Sequence, residues 1–228
     1  MNGDQYALLD AYMRKRMRDC DSAHDCEHVY RVLGVALDIA QSEQDVNVDV
    51  LIAACLLHDI ARPDQLRDHR VCHAEAGAKK AKRFLKKNGF GNAFARHVAD
   101  CVRTHRFRKG GEPSSIEAKI LFDADKIDVC GATGIARTLF YQGRLGEPMY
   151  ACLADGSISD GTGDKAKTFF GEYKYKLENI RERLFTSRGR EIARERQKTA
   201  DAFYQSMLAE VRASREKGCA LLEQALER

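Results

Sequence analysis

The sequence predicts an all-α protein, and three observations carry that prediction. Only three prolines, Pro63, Pro113 and Pro148, interrupt the 228 residues, so long helices are permitted. Apolar residues recur at three- and four-residue spacing through most of the chain. No stretch alternates apolar and polar residues as a half-buried strand does.

The elements follow in order. A first helix over about 4–20 places Leu9, Met13 and Met17 on one face. A second, about 26–42, gathers Val29, Val32, Leu33, Ala36, Ile39 and Ala40, with His28 in its first turn. The third, about 48–60, is apolar nearly all round, as a central helix should be, and Pro63 ends it or follows its end. Helices over about 71–88, closed by Gly89, and about 92–107 come next. The stretch RKGGEPSS is a loop, with Ser114 or Ser115 as N-cap of the helix IEAKILFDADKIDVCG. Another helix runs from about 132 to 143. The segment over about 143–164, rich in Gly, Ser and Asp, reads as a long irregular loop or a lid. From about 165 to 228 the chain is helical again, with Ile192, Phe203, Met207 and Val211 on one face. The length fits a single domain, residues 1–228.

Composition bounds the function. A net charge of +4 is too mild to imply nucleic acid, although it suits an anionic substrate. The basic C-terminal stretch RERLFTSRGREIARERQ is rich in Glu and lacks interleaved aromatics, which argues against base stacking. The eight cysteines show no C-x-x-C spacing, and several lie in helix interiors, as buried small hydrophobes do. No signal peptide and no membrane-spanning run is evident, so a reducing cytoplasm is the expected setting.

The chemistry starts from LLHDIA, where His58 and Asp59 close the apolar third helix. Burying an imidazole and a carboxylate is costly unless each has a partner. A second such pair, His24-Asp25, lies at the approach to the second helix. His28 and Asp125 stand on other helices, and helical bundles build metal sites from side chains that several helices point inward. Taken singly, each of the four also has a plain reading as a solvated helix-end charge.

Together they form the order H…HD…D, which resembles the HD-domain superfamily of metal-dependent phosphohydrolases. The blocks HDCEHVYRVLGVALDIA, AACLLHDIARPD, HAEAGAKKAKRFL, IEAKILFDADKIDVCGATGIART and TSRGREIARERQ are similar to successive blocks of small bacterial HD hydrolases of the YedJ type. The resemblance implies an HD-type helical bundle, its core over about 20–145, with additional C-terminal helices. It implies His28, His58, Asp59 and Asp125 as ligands of a divalent metal. An N/O donor set without thiolate suits Mn, Fe, Co, Ni, Mg or Zn. By the same likeness, His73 and His105 are candidates for a second metal sharing Asp59, or for contact with a phosphate or a leaving group. The implied reaction is phosphate-ester hydrolysis by metal-activated water, with Asp59, His73 and His105 as catalytic groups and a small phosphorylated, nucleotide-like substrate. Arg31, Arg62 and Lys126 are the candidate substrate-binding residues, and Asp128 a candidate acceptor behind the ligands. In some nucleotidases of the superfamily an acid stands four residues after the histidine of the pair, where this chain has Arg62. The alternatives are a di-iron oxygenase, which needs the second metal, and a non-catalytic nucleotide-binding protein.

Overall fold

The computed structural model describes residues 1–18, 20, 25–106, 111–165 and 167–227. His24 and the expected helix end at 107 lie outside the described residues, and the first helix, expected to reach about 20, closes at Met17. Among the described residues the fold is all-α. Its only β feature there is an isolated bridge between Cys152 and Ile158. The chain divides into two compact units, Met1–Asp128 with Leu184–Ile192, and Val129–Arg183 with Ala193–Arg228.

The first unit holds α1 (Gly3–Met17), α2 (Cys26–Ala40), α3 (Val48–Leu57), α4 (Arg62–Arg67), α5 (His73–Lys87), α6 (Asn92–Thr104) and α7 (Ile116–Ile127). Short polar side chains start four of these helices by accepting backbone N–H groups that lack a partner within the helix. Asn2 does so for α1, Asp25 for α2, Asn47 for α3 and Ser115 for α7. Helix α3 packs against α1, α2, α6 and α7, and its residues from Val50 to Leu57 are buried apart from Ile52. It is therefore the core of this unit, as its all-round apolar sequence requires. Helix α5 lies on α6, and Gly77 leaves room there. A Cβ at Gly77 would stand 3.4 Å from the carbonyl oxygen of His58.

Two details differ from the sequence reading. The chain turns after His58 and makes α4, a six-residue helix with Pro63 in its first turn. A proline there only occupies a position whose N–H has no helical partner, so it opens this helix. On the long helix α10 (Ser187–Leu226) the buried stripe is Ala193, Ala200, Tyr204 and Leu208, one residue on from the expected Ile192, Phe203, Met207 and Val211. The stripe turned because Tyr204 stacks on Tyr173, ring centroids 4.0 Å apart, and its hydroxyl donates to the carbonyl of Asp160 at 2.5 Å. A buried tyrosine must satisfy that hydroxyl.

The second unit contains α8 (Gly131–Leu145), α9 (Phe169–Glu172), a π-helical turn at Tyr173–Leu177, a 3₁₀ turn at Ile180–Arg183 and most of α10. Its core is aromatic, with Phe169, Phe170, Tyr173 and Tyr204 buried. The irregular stretch before α9 is tied down from within. Arg212 donates through Nε and Nη2 to the carbonyl of Ile158, at 3.2 and 3.0 Å.

Candidate metal centre

Five helix ends of the first unit supply the site. His28 lies in the first turn of α2, and His58 and Asp59 follow α3. His73 begins α5, His105 follows α6, and Asp125 sits near the end of α7. The four imidazoles are at most 1% exposed and Asp59 is 4% exposed. Burial of this kind needs compensation from within the protein or from a cation.

Two groups of donors meet at Asp59. On one side stand His28, His58 and Asp125. His28 Nε2 lies 3.2 Å from His58 Nε2, 3.4 Å from Asp125 Oδ1 and 3.8 Å from Asp59 Oδ2. On the other side His73 Nε2 and His105 Nε2 are 3.3 Å apart, at 3.1 and 3.7 Å from Asp59 Oδ1. Each oxygen of one carboxylate thus faces a different pair of histidines.

The outer ring nitrogens decide what the inner ones can do. His28 Nδ1 donates to Asp128 Oδ2 at 2.8 Å, and His58 Nδ1 donates to the carbonyl of Cys55 at 2.7 Å. Those acceptors hold the hydrogens on Nδ1, so both Nε2 atoms present lone pairs. Burial pushes the His58 imidazole down to about 4, against the pull of Asp59, so it stays neutral at pH 7. Two lone pairs facing each other across 3.2 Å, beside two carboxylates, repel one another, and a cation among them turns the repulsion into ligation. The donor set is nitrogen and oxygen only, with the outer N–H groups anchored as those of metal-bound histidines are. These residues fit a divalent metal.

The carboxylates are ionised. Burial acts to raise Asp59, but His73, His58 and His105 hold it well below the usual carboxylate range. Burial opposes ionisation of Asp125 too, and Lys126 and His28 outweigh it.

The expected basic residues contact the site's own groups. Arg31 forms a two-pronged pair with the fully buried Asp128, Nε to Oδ1 at 2.8 Å and Nη2 to Oδ2 at 3.1 Å. Lys126 Nζ reaches Asp125 Oδ2 at 2.7 Å and lies 4.9 Å from the centre of the Phe122 ring. Arg62 Nη1 is 3.1 Å from His73 Nδ1 and 3.3 Å from Gln65 Oε1. Two residues escaped sequence reasoning. Gln65 Oε1 stands 2.5 Å from His73 Nδ1, and Arg106 Nη1 stands 3.2 Å from the same atom. Gln65 lies on α4, a helix too short to show a period, while Arg106 directly follows His105 and was legible only as its neighbour. Outside the site, His97 pairs with Glu117, Nε2 to Oε2 at 3.0 Å.

Residues 26–130, which span all six residues of the two donor groups, match the family described as HD domain. The chain is 28% identical over 199 residues to the uncharacterized protein YpgQ of Bacillus subtilis, covering 84% of this chain and 86% of that one. A predicted HD superfamily hydrolase from an uncultured Thermotogales bacterium has a similar structure, TM-score 0.62 at 29% identity, over 92% of this chain and 99% of that one. YpgQ in complex with ADP shares the fold at TM-score 0.69 and 23% identity, over 91% of this chain and 98% of that one.

Proposed function

From the match of residues 26–130 to the HD domain family we propose that the chain is a metal-dependent phosphohydrolase of small phosphorylated substrates, nucleotides among them. The observation that carries the reading is the buried His28–His58 pair, whose facing Nε2 atoms and flanking carboxylates call for a cation. His28, His58, Asp59 and Asp125 would hold it. Mn, Fe, Co, Ni, Mg and Zn all suit the donor set. Such an ion, when bound, polarises a phosphoryl oxygen and makes water acidic enough to attack near neutral pH.

The protein's own groups do the rest. Asp59, ionised and turned to both donor groups, orients the attacking water and takes up its proton. His73 and His105 stand across Asp59 from the first group, where they assist the leaving oxygen. Lys126 beside Asp125, and Arg62 beside His73, supply positive charge for the phosphoryl oxygens. The ADP bound by YpgQ supports a nucleotide as substrate class here. No helix of the described residues is long and apolar enough to cross a membrane. The buried free thiols of Cys55, Cys101 and Cys130 suit a reducing, cytoplasmic setting.

The test is metal content by mass spectrometry on protein purified without chelator, beside His58→Ala, followed by phosphate release from a nucleotide panel with the bound ion. Bound metal that is lost in the variant, with turnover in the wild type, is the expected result. A wild type that takes up no ion even in added Mn²⁺ or Ni²⁺ overturns the reading.

A further inference from the structure

We propose that the end of α10, residues 212–226, pairs antiparallel with the same segment of a second copy of this chain. The inference is independent of the phosphohydrolase reading.

Helix α10 buries Ala193, Ala200, Tyr204 and Leu208 and half-buries Val211. Arg212 then donates to the carbonyl of Ile158. From Arg212 to Leu226 every residue is exposed, yet the helix runs on, for about 22 Å at the rise of an α-helix. Helices in water draw most of their stability from packing an apolar face, and this stretch packs on nothing among the described residues.

Its apolar face is the continuation of the buried one. Tyr204, Leu208, Val211, Arg215, Gly218, Leu222 and Ala225 follow one another at four- and three-residue steps, the spacing of a coiled-coil seam. Tyr204 and Leu208 are buried, but Leu222 is 59% exposed, and Leu221 and Leu226 flank it at 54% and 77%.

Two observations identify the occupant. Residues 212–218 hold Arg212, Arg215 and Lys217 against Glu216, while residues 222–227 hold Glu223 and Glu227 and no cation. Two parallel copies would set like charge against like. In an antiparallel pair each basic half meets an acidic half, at both ends, and the helix dipoles oppose. A twofold contact requires such a self-complementary surface. The second observation is Gly218. A glycine inside a helix is destabilising, and a Cβ here would meet nothing within 4 Å, so the chain's own packing does not call for one. In an antiparallel pair centred near Ala220, Leu222 of each copy lies against Gly218 of the other, where the missing side chain lets the helices approach closely.

Sedimentation equilibrium on the full chain tests this, and the wild type should dimerise as its concentration rises. Leu222→Asp puts a charge into the seam and should weaken the dimer on the order of tenfold or more. Orientation is read from charge. Arg215→Glu with Lys217→Glu, and separately Glu223→Lys with Glu227→Lys, should each weaken self-association, because like charges then meet at both ends. Mixed one to one, the two double variants should form a heterodimer, since each end again joins opposite charges. That rescue also rules out misfolding as the cause of the loss. A wild type that stays monomeric at every concentration, a dimer unaltered by Leu222→Asp, or a mixture no tighter than its two components overturns the proposal.

Discussion

His28 is held by a chain of charge that begins with Arg31. The guanidinium grips both oxygens of Asp128, and Asp128 in turn accepts from His28 Nδ1. Asp128→Asn keeps the shape and weakens the acceptor, so metal affinity should fall about 10–100-fold by calorimetry. Unchanged affinity would mean that the ring needs no brace. The histidines also set a pH dependence in chelator-treated protein. Burial pushes His58 and His73 down to about 4 from an ordinary value of 6.5. Between those values the unfolded chain binds protons that the folded one refuses, so stability rises with pH across that window and is lost as pH falls through it. The urea midpoint of stripped protein should therefore be lower at pH 5 than at pH 7.5. A midpoint that holds steady would show the histidines to be hydrated. At this scale the ligand candidates were legible, because histidine and aspartate in the order H…HD…D have few other reasons to close buried helices. Their supports were half hidden: Cys55 and Val102 act through backbone carbonyls, which every residue has.

Helix α7 carries Asp125 toward the site, and its other face is pinned by Asp123. Asp123 is fully buried and accepts from Phe185 N, Thr186 N and the Thr186 hydroxyl at 2.7 to 3.1 Å. Thr186 Oγ1 also accepts from Gly189 N at 3.1 Å, capping the start of α10. A carboxylate at a helix N-terminus is doubly favourable there, by hydrogen bonds and by the helix dipole. The motif TSRG was legible as a block of sequence, but the partner of its Thr186, 63 residues away, was not. Gly189 explains the motif's last letter. A Cβ there would stand 2.6 Å from Thr186 Oγ1 and 2.8 Å from Asp123 Oδ2. Gly189→Ala should cost about 1–3 kcal/mol in urea unfolding, as overpacking does. It should also loosen metal binding, because α7 shifts with Asp123. A variant as stable as the wild type would show that the junction relaxes freely. Elsewhere, element boundaries fell within a few residues of expectation where caps and periods were strong. They failed at α4, which is too short for a period, and on α10, where one tyrosine turned the buried stripe.

For the whole molecule, the all-α class was readable because periodicity, scarce proline and absent alternation agreed over the full length. Every residue of the two donor groups belongs to the first unit, and they come from five helix ends separated by up to 97 positions in sequence. An ion held by His28, His58, Asp59 and Asp125 therefore ties α2, α3 and α7 together and adds nothing directly to residues 129–183. An ion that binds only the folded state stabilises by mass action, about 2.7 kcal/mol at a hundredfold excess over its dissociation constant. For a chain of this size that corresponds to a rise of roughly 5–11 °C in melting temperature. Adding Mn²⁺ to stripped protein should produce such a rise, chelator should reverse it, and His58→Ala should not show it. Hydrogen exchange places the effect. Amides near the ends of α2, α3 and α7 should slow on loading, while those of α8 and the π-helical turn should keep their rates, because metal that binds the native chain protects first what it cross-links. Equal slowing across the whole chain would mean that the two units open as one. Slowing confined to α5 and α6 would place the ion on the His73 side of Asp59, away from His28 and His58.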